Sequence, residues 1–338
     1  MNKQLLVNSS PHYRCNDSTM TLMRDVLIAL VPVLGGAVIF FGFRALVLTL
    51  VSVAFCVAFE TLFNWATKRE NTVGDLSAVV TGVILAFNLP VVTPYWMVAI
   101  GAFFAIVVVK CLFGGLGKNF LNPALAARAF LFSWPTIMTT FTKPLQEMYY
   151  DLSFIFGEPM FVNAETEALD SVSGATALMS LKQGIQPEMS LTDLFIGNVP
   201  GSIGETSALL ILIGFVYLLF RKVITWHIPV CYVGTVALLT FLFPVGNMNN
   251  LVYMSYELLS GGLLLGAVFM ATDYTTSPLS RLGKVIYAVG CGGLTVLLRT
   301  FGDLPEAVSY SILIMNVVAL AIDRYLKPRR YGIGGENA

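Results

Sequence analysis

Asp170, Ser173, Gly174, Ala175 and Thr176 fall together in the stretch DSVSGATALMSLKQG (170–184), and their types and spacing could do chemistry. ALMSLKQG reads as two helical turns stopped by Gly184, with Ser173 as the N-cap. The first-turn amides of such a helix point outward with partial positive charge, which suits a phosphate. Thr176 offers a hydroxyl that can be esterified to one, and Gly174 leaves room for close approach. The same residues also make an ordinary capped surface helix, and the tetrapeptide alone does not decide between the two.

What must position these residues is a chain made mostly of hydrocarbon. Of 338 residues, 56% are hydrophobic and 12% are charged. Mean hydropathy is +0.76, and a soluble domain would carry about 25% charged residues. The composition predicts an all-α polytopic membrane protein seated in a lipid bilayer. About ten transmembrane helices are expected, over 26–42, 45–65, 76–90, 94–113, 121–139, 206–220, 225–243, 256–272, 285–300 and 307–323. The run at 76–90 ends in NLP and the run at 206–220 stops at Arg221-Lys222. Short runs of this kind can be half-helices or spans packed against protein. The first run is too long for the core of a signal peptide and is expected to be an uncleaved span. The formal net charge is zero, so the balance gives no reason to expect a nucleic-acid partner.

Lys and Arg set the orientation. With the N-terminus inside, fifteen of them fall in cytoplasmic segments, while Arg44, Lys143, Lys182 and Arg299 fall outside and Arg128 lies within the fifth span. The expected division is a cytoplasmic segment 1–25, a five-helix half 26–139, an extracytoplasmic loop 140–205, a second five-helix half 206–323 and a cytoplasmic tail 324–338. The outer loop carries nine acids and holds Thr176. Five spans on each side of it would enter the membrane with opposite polarity, the arithmetic of a 5+5 inverted repeat. Composition and topology alone fit a ten-helix solute channel or transporter equally well.

The pattern Asp170-x-x-Ser173-Gly174-Ala175-Thr176 resembles the D-x-x-(S/T)-G-A-T signature of proteins that carry FMN covalently on threonine. SSPHYR (9–14), GGLGKNFLNPALAARAF (114–130) and FMATDYTTSP (269–278) resemble the D subunit of the Rnf electron-transport complex. They are similar too to the B subunit of the sodium-translocating NADH:quinone oxidoreductase. The short segment before the first span favours the Rnf protein. The resemblance implies FMN held on Thr176 by its phosphate, attached by a flavin transferase working outside the cytoplasm. It also implies a second, noncovalent flavin, riboflavin, nearer the cytoplasmic side. The partners implied are the other Rnf subunits (A, B, C, E and G), in a bacterial inner or plasma membrane. The complex implied couples ferredoxin oxidation and NAD reduction to export of sodium ions or protons.

Further residues carry two readings each. Gly114, Gly115 and Gly117 followed by Asn119, Asn122 and Pro123 make either a tight turn with a helix start or a wall of the second flavin site. Arg128 lies two turns into its span, where a charge costs about 2.5–3.5 kcal/mol on insertion scales. It is expected either to balance an electron-rich flavin or to pair with an acid such as Glu60. Asp273 is either a capping residue at the cytoplasmic boundary or, as the resemblance implies, part of a cation path with Thr272, Thr275 and Thr276 as further oxygen ligands. The five cysteines are dispersed and read as small buried hydrophobes.

Overall fold

The computed structural model describes residues 18–70, 72–146, 149, 151–157, 176–205, 207–246, 248–302 and 307–326. Asp170, Ser173, Gly174 and Ala175 lie outside the described residues, as do 1–17 and everything beyond 326. No strand occurs among the described residues.

The first half begins with α1 (Thr19–Phe41), capped by Ser18, whose hydroxyl accepts from the Thr21 amide. Only Gly42 separates it from α2 (Phe43–Ala66). Gly42 sits at φ +69°, and a Cβ there would lie 2.7 Å from Tyr149. The hairpin therefore needs a residue with no side chain. Burial pushes the Tyr149 phenol up to about 12, opposed by its hydrogen bond to Thr142. Next come α3 (Ser77–Phe87) and α4 (Tyr95–Phe103), which runs on as a π-helix over Phe104–Cys111. The half closes with α5 (Pro123–Leu131), which has proline in its first turn and Asn122 as N-cap, and the single turn α6 (Pro135–Met138).

Among the described residues between the halves lie three short helices, α7 (Leu152–Phe156), α8 (Ala177–Lys182) and α9 (Leu191–Ile196). The second half holds α10 (Ala208–Phe220), α11 (His227–Leu242), α12 (Asn250–Leu259), α13 (Leu263–Leu265, continued as a π-helix over Gly266–Met270), α14 (Arg281–Phe301) and α15 (Val308–Tyr325). The halves meet where α1 packs on α10 and α5 on α15.

Every one of the ten apolar runs carries helix. Among the described residues, only α1, α2, α14 and α15 are long and apolar enough to cross a membrane alone. The α12–α13 pair qualifies jointly, with a 60° bend between its members. The shortness of the rest has local causes. Helix α3 stops at Asn88, just before Pro90, which cannot continue it. Helix α13 stops at Ala271. Each then runs on without helix to an X-Pro step, and Gly82 to Pro94 spans the same twelve-residue interval as Gly266 to Pro278.

The starts of these two helices are also alike. Leu76 precedes α3 at φ 63°, and Gly261 and Gly262 precede α13 at 67° and 65°. A buried cation from the fourth long helix of each half holds each start. Lys110 Nζ donates to Ser77 Oγ at 2.6 Å and to Glu60 Oε1 at 2.9 Å. Arg299 donates to Glu257 Oε2 at 2.6 Å and to the Ser260 carbonyl at 3.0 Å. All four charged side chains are 5% exposed or less. Charges so buried persist only when paired and hydrogen-bonded.

Candidate functional site

A cavity, inner in the expected orientation, opens between α1, α3, α5 and the end of α13. Val80, Ile84, Leu218 and Phe269 give it apolar walls, and Asn119, Asn122, Thr272, Asp273, Thr275 and Lys110 supply polar groups. Apolar walls with a few convergent polar groups suit a flat organic ring. The structure thus brings Asn119, Asn122 and Asp273 to one cavity. Asn122 Oδ1 caps α5, accepting from the Ala124 and Leu125 amides, while its Nδ2 donates to the Met270 carbonyl. Asn119 Nδ2 donates to Thr275 Oγ1 at 3.1 Å, but its buried Oδ1 has no partner among the described residues. Asp273 accepts from the Thr275 hydroxyl and amide and from the Thr276 hydroxyl, so it also caps its own turn.

A second, small cavity, outer in the expected orientation, is lined by Thr176, Val199, Pro200, Gly201, Glu205, Ser260 and Gly261 among others. Helix α8 starts at Ala177, as ALMSLKQG suggests, but its cap differs from the expected one. Thr176, not Ser173, is the N-cap of α8, and its side chain makes no cap hydrogen bond. The helix has six residues, and Gly184 follows its end at φ +72°. Thr176 therefore lines a cavity, and its hydroxyl is not engaged in capping.

Arg128 lines neither the inner nor the outer cavity. Its Nη1 donates to Glu205 Oε1 and to Asn88 Oδ1, both at 2.8 Å, and to Ser309 Oγ at 3.2 Å. The expected partner Glu60 is instead held by Lys110 and Thr72. A chain of polar contacts runs from one cavity to the other. Glu205 lines the outer one, Arg128 bridges it to Asn88, Asn88 Nδ2 lies 3.9 Å from the Met270 sulfur, and the Met270 carbonyl meets Asn122 at the inner one.

Several of these groups escape sequence reasoning. Glu205 looks like one of nine loop acids, yet its side chain is 4% exposed. Arg44, counted with the outer loops, is fully buried at the head of α2. It donates to the Val91, Thr93, Phe154 and Gly157 carbonyls between the rings of Tyr95 and Phe154. The signal available was a charge flanked by apolar residues on both sides, which asks for a partner but does not name it.

Together these features define an all-helical, multi-pass membrane protein with two cavities joined through buried polar side chains. A family model described as "NQR2, RnfD, RnfE family" matches residues 6–332, and the chain belongs to that family. It is 46% identical over 333 residues to the D subunit of the Na(+)-translocating ferredoxin:NAD(+) oxidoreductase complex of Acetobacterium woodii, covering 97% of this chain and 96% of that one. It is 38% identical over 338 residues to the D subunit of the proton-translocating ferredoxin:NAD(+) oxidoreductase complex of Clostridium ljungdahlii, covering 96% of each. It is 36% identical to the D subunit of the ion-translocating oxidoreductase complex of Halorhodospira halophila, covering 96% of this chain and 94% of that one.

Proposed function

We propose that this chain is the membrane-embedded D subunit of an ion-translocating ferredoxin:NAD+ oxidoreductase, active only within its complex. The observation that carries the reading is likeness along nearly the whole chain to proteins of that name. The ten helix-bearing runs are ten crossings, with both termini cytoplasmic and the Thr176 loop outside. The matched broken spans, each started by a fourth-helix cation, support a 5+5 inverted repeat.

Thr176 holds FMN through its phosphate. Its uncapped hydroxyl and the cavity beside it are what support this. Asp170, Ser173, Gly174 and Ala175 complete the sequence that the flavin transferase reads. Asn119 and Asn122 hold the second flavin at the inner cavity, where the orphaned Asn119 Oδ1 can accept from a ring N–H. The flavins supply electron transfer by one or two electrons at a time; the protein sets their position and surroundings. Asp273 with Thr272 and Thr275 receives the cation at the inner cavity. The other Rnf subunits deliver and accept the electrons.

The reading is tested by in-gel flavin fluorescence after denaturation, with the transferase coexpressed. A fluorescent band that disappears in Thr176→Ala and survives in Thr176→Ser is expected. A colourless wild-type band would favour a flavin-free channel or transporter.

A further inference from the structure

The outer segment 201–205 is unusual for a loop. Its Ile203 and Ser202 are fully buried. The Ile203 amide donates to the Leu89 carbonyl at 3.1 Å and the Gly204 amide to the Phe87 carbonyl at 2.9 Å. Those carbonyls belong to the C-terminal end of α3, which the break leaves without intrahelical donors. A Cβ on Gly204 would lie 2.4 Å from Phe87 Cβ, so the segment presses on the helix end with no room to spare. The next residue, Glu205, is fastened to Arg128, which also holds Asn88 at the same helix end. The loop thus closes the outer side of the first broken span by two backbone hydrogen bonds and one ion pair.

We propose that residues 201–205 are the outer gate of the ion path through this protein, and that the Arg128–Glu205 pair is its latch. The gate rests on the reading that the ion enters at Asp273, and it does not depend on either flavin. A cation leaving the inner cavity outward along the row Asn122, Asn88, Arg128, Glu205 meets a fixed guanidinium, which repels it. The row is closed here: Glu205 is bonded to Arg128 and Arg128 to Asn88, and Met270 stands between Asn88 and Asn122. Outward passage requires 201–205 to lift from the end of α3 and Glu205 to release Arg128. Pro200, Gly201 and Glu205 also line the cavity at Thr176, so a change of charge there acts directly on the latch. Non-helical backbone at this depth is tolerated where it lines a path or is buried in protein. A segment that only filled space would not need a charge pair, which apolar residues of similar volume replace without loss of stability.

The test uses the whole complex in liposomes, supplied with reduced ferredoxin and NAD, with sodium-ion and proton uptake followed separately. Ile203→Cys and Leu89→Cys are combined so that oxidation ties the segment to the helix end. Loss of ion uptake on oxidation, restored by a thiol reductant and absent in each single-cysteine variant, is expected. Full uptake in complex shown by mass spectrometry to be cross-linked would overturn the gate. Arg128→Gln, which removes both the latch and the repelling charge, is expected with no electron donor present to let sodium ions or protons leak down an imposed gradient. A leak no faster than that of the unaltered complex, in a variant that keeps its assembly, would count equally against it. Asp273→Asn separates the two ideas. If it stops uptake while the cross-link does not, only the gate fails; if neither matters, the ion does not cross this protein.

Discussion

Arg128 on α5 and Glu205 ahead of α10 stand 2.8 Å apart although 77 residues separate them in the chain. Both side chains are 4% exposed. The pair ties the segment ahead of α10 to the core at the point where α3 ends, since Arg128 also reaches Asn88. It therefore couples the cavity lined by Thr176 to the end of α3.

Breaking the pair from one side leaves a buried charge without its partner. Glu205→Ala and Arg128→Ala are each expected to destabilise the protein by about 3–5 kcal/mol. The double change Arg128→Met with Glu205→Leu should recover much of that loss, because apolar side chains of similar volume replace such pairs well. Thermal unfolding of the detergent-solubilised protein reads the difference. A double variant as unstable as the sum of the single ones would contradict the pairing.

Gly262 supports the same carboxylate. Its φ is +65°, and a Cβ would sit 2.5 Å from Glu205 Oε1. Gly115 also has positive φ, at +92°, but its Cβ would meet nothing within 4 Å. Gly115→Ala should cost only backbone strain, about 1–2 kcal/mol. Gly262→Ala should cost more, with a lower melting temperature than Gly115→Ala. Equal losses would mean that the carboxylate yields freely.

The two asparagines of the inner cavity are separable by experiment. Asn119→Ala should lower the noncovalent flavin released by acid, with little change in stability. Asn122→Ala should lower both, since it also removes the cap of α5, worth about 1 kcal/mol. Asn122→Ser keeps the cap and isolates the binding effect. Unchanged acid-released flavin in all three would remove these residues from the site.

Asp273→Asn should impair ion-linked turnover while both flavins remain bound, as measured by sodium-ion or proton uptake per NAD reduced. Unchanged coupling would remove Asp273 from the ion path and leave it as the cap of its own turn, a role its bonds to Thr275 and Thr276 already satisfy.

The sequence made the apolar runs plain because hydrocarbon content survives any arrangement of the helices. It did not reveal where the helices break, because the break depends on who satisfies the freed carbonyls. Phe87 and Leu89 are served by Gly204 and Ile203, more than a hundred residues away. A separation of 77 residues likewise hid the partner of Arg128, for which an acid such as Glu60 was the expectation. Thr176 stood out from its neighbours by type and spacing, and the helix over ALMSLK was legible, but its cap was not: Thr176, not Ser173, precedes α8. Asn119, Asn122 and Asp273 were visible as separate motifs, and only packing of α5 against the end of α13 brings them to one cavity.

The measurement that bears most directly on the account is mass mapping of the peptide that contains Thr176, from complex isolated from its own cells. The account predicts that peptide carrying FMN as a phosphoester on Thr176, with the modification absent from Thr176→Ala. An unmodified threonine in native, fully assembled complex would contradict it.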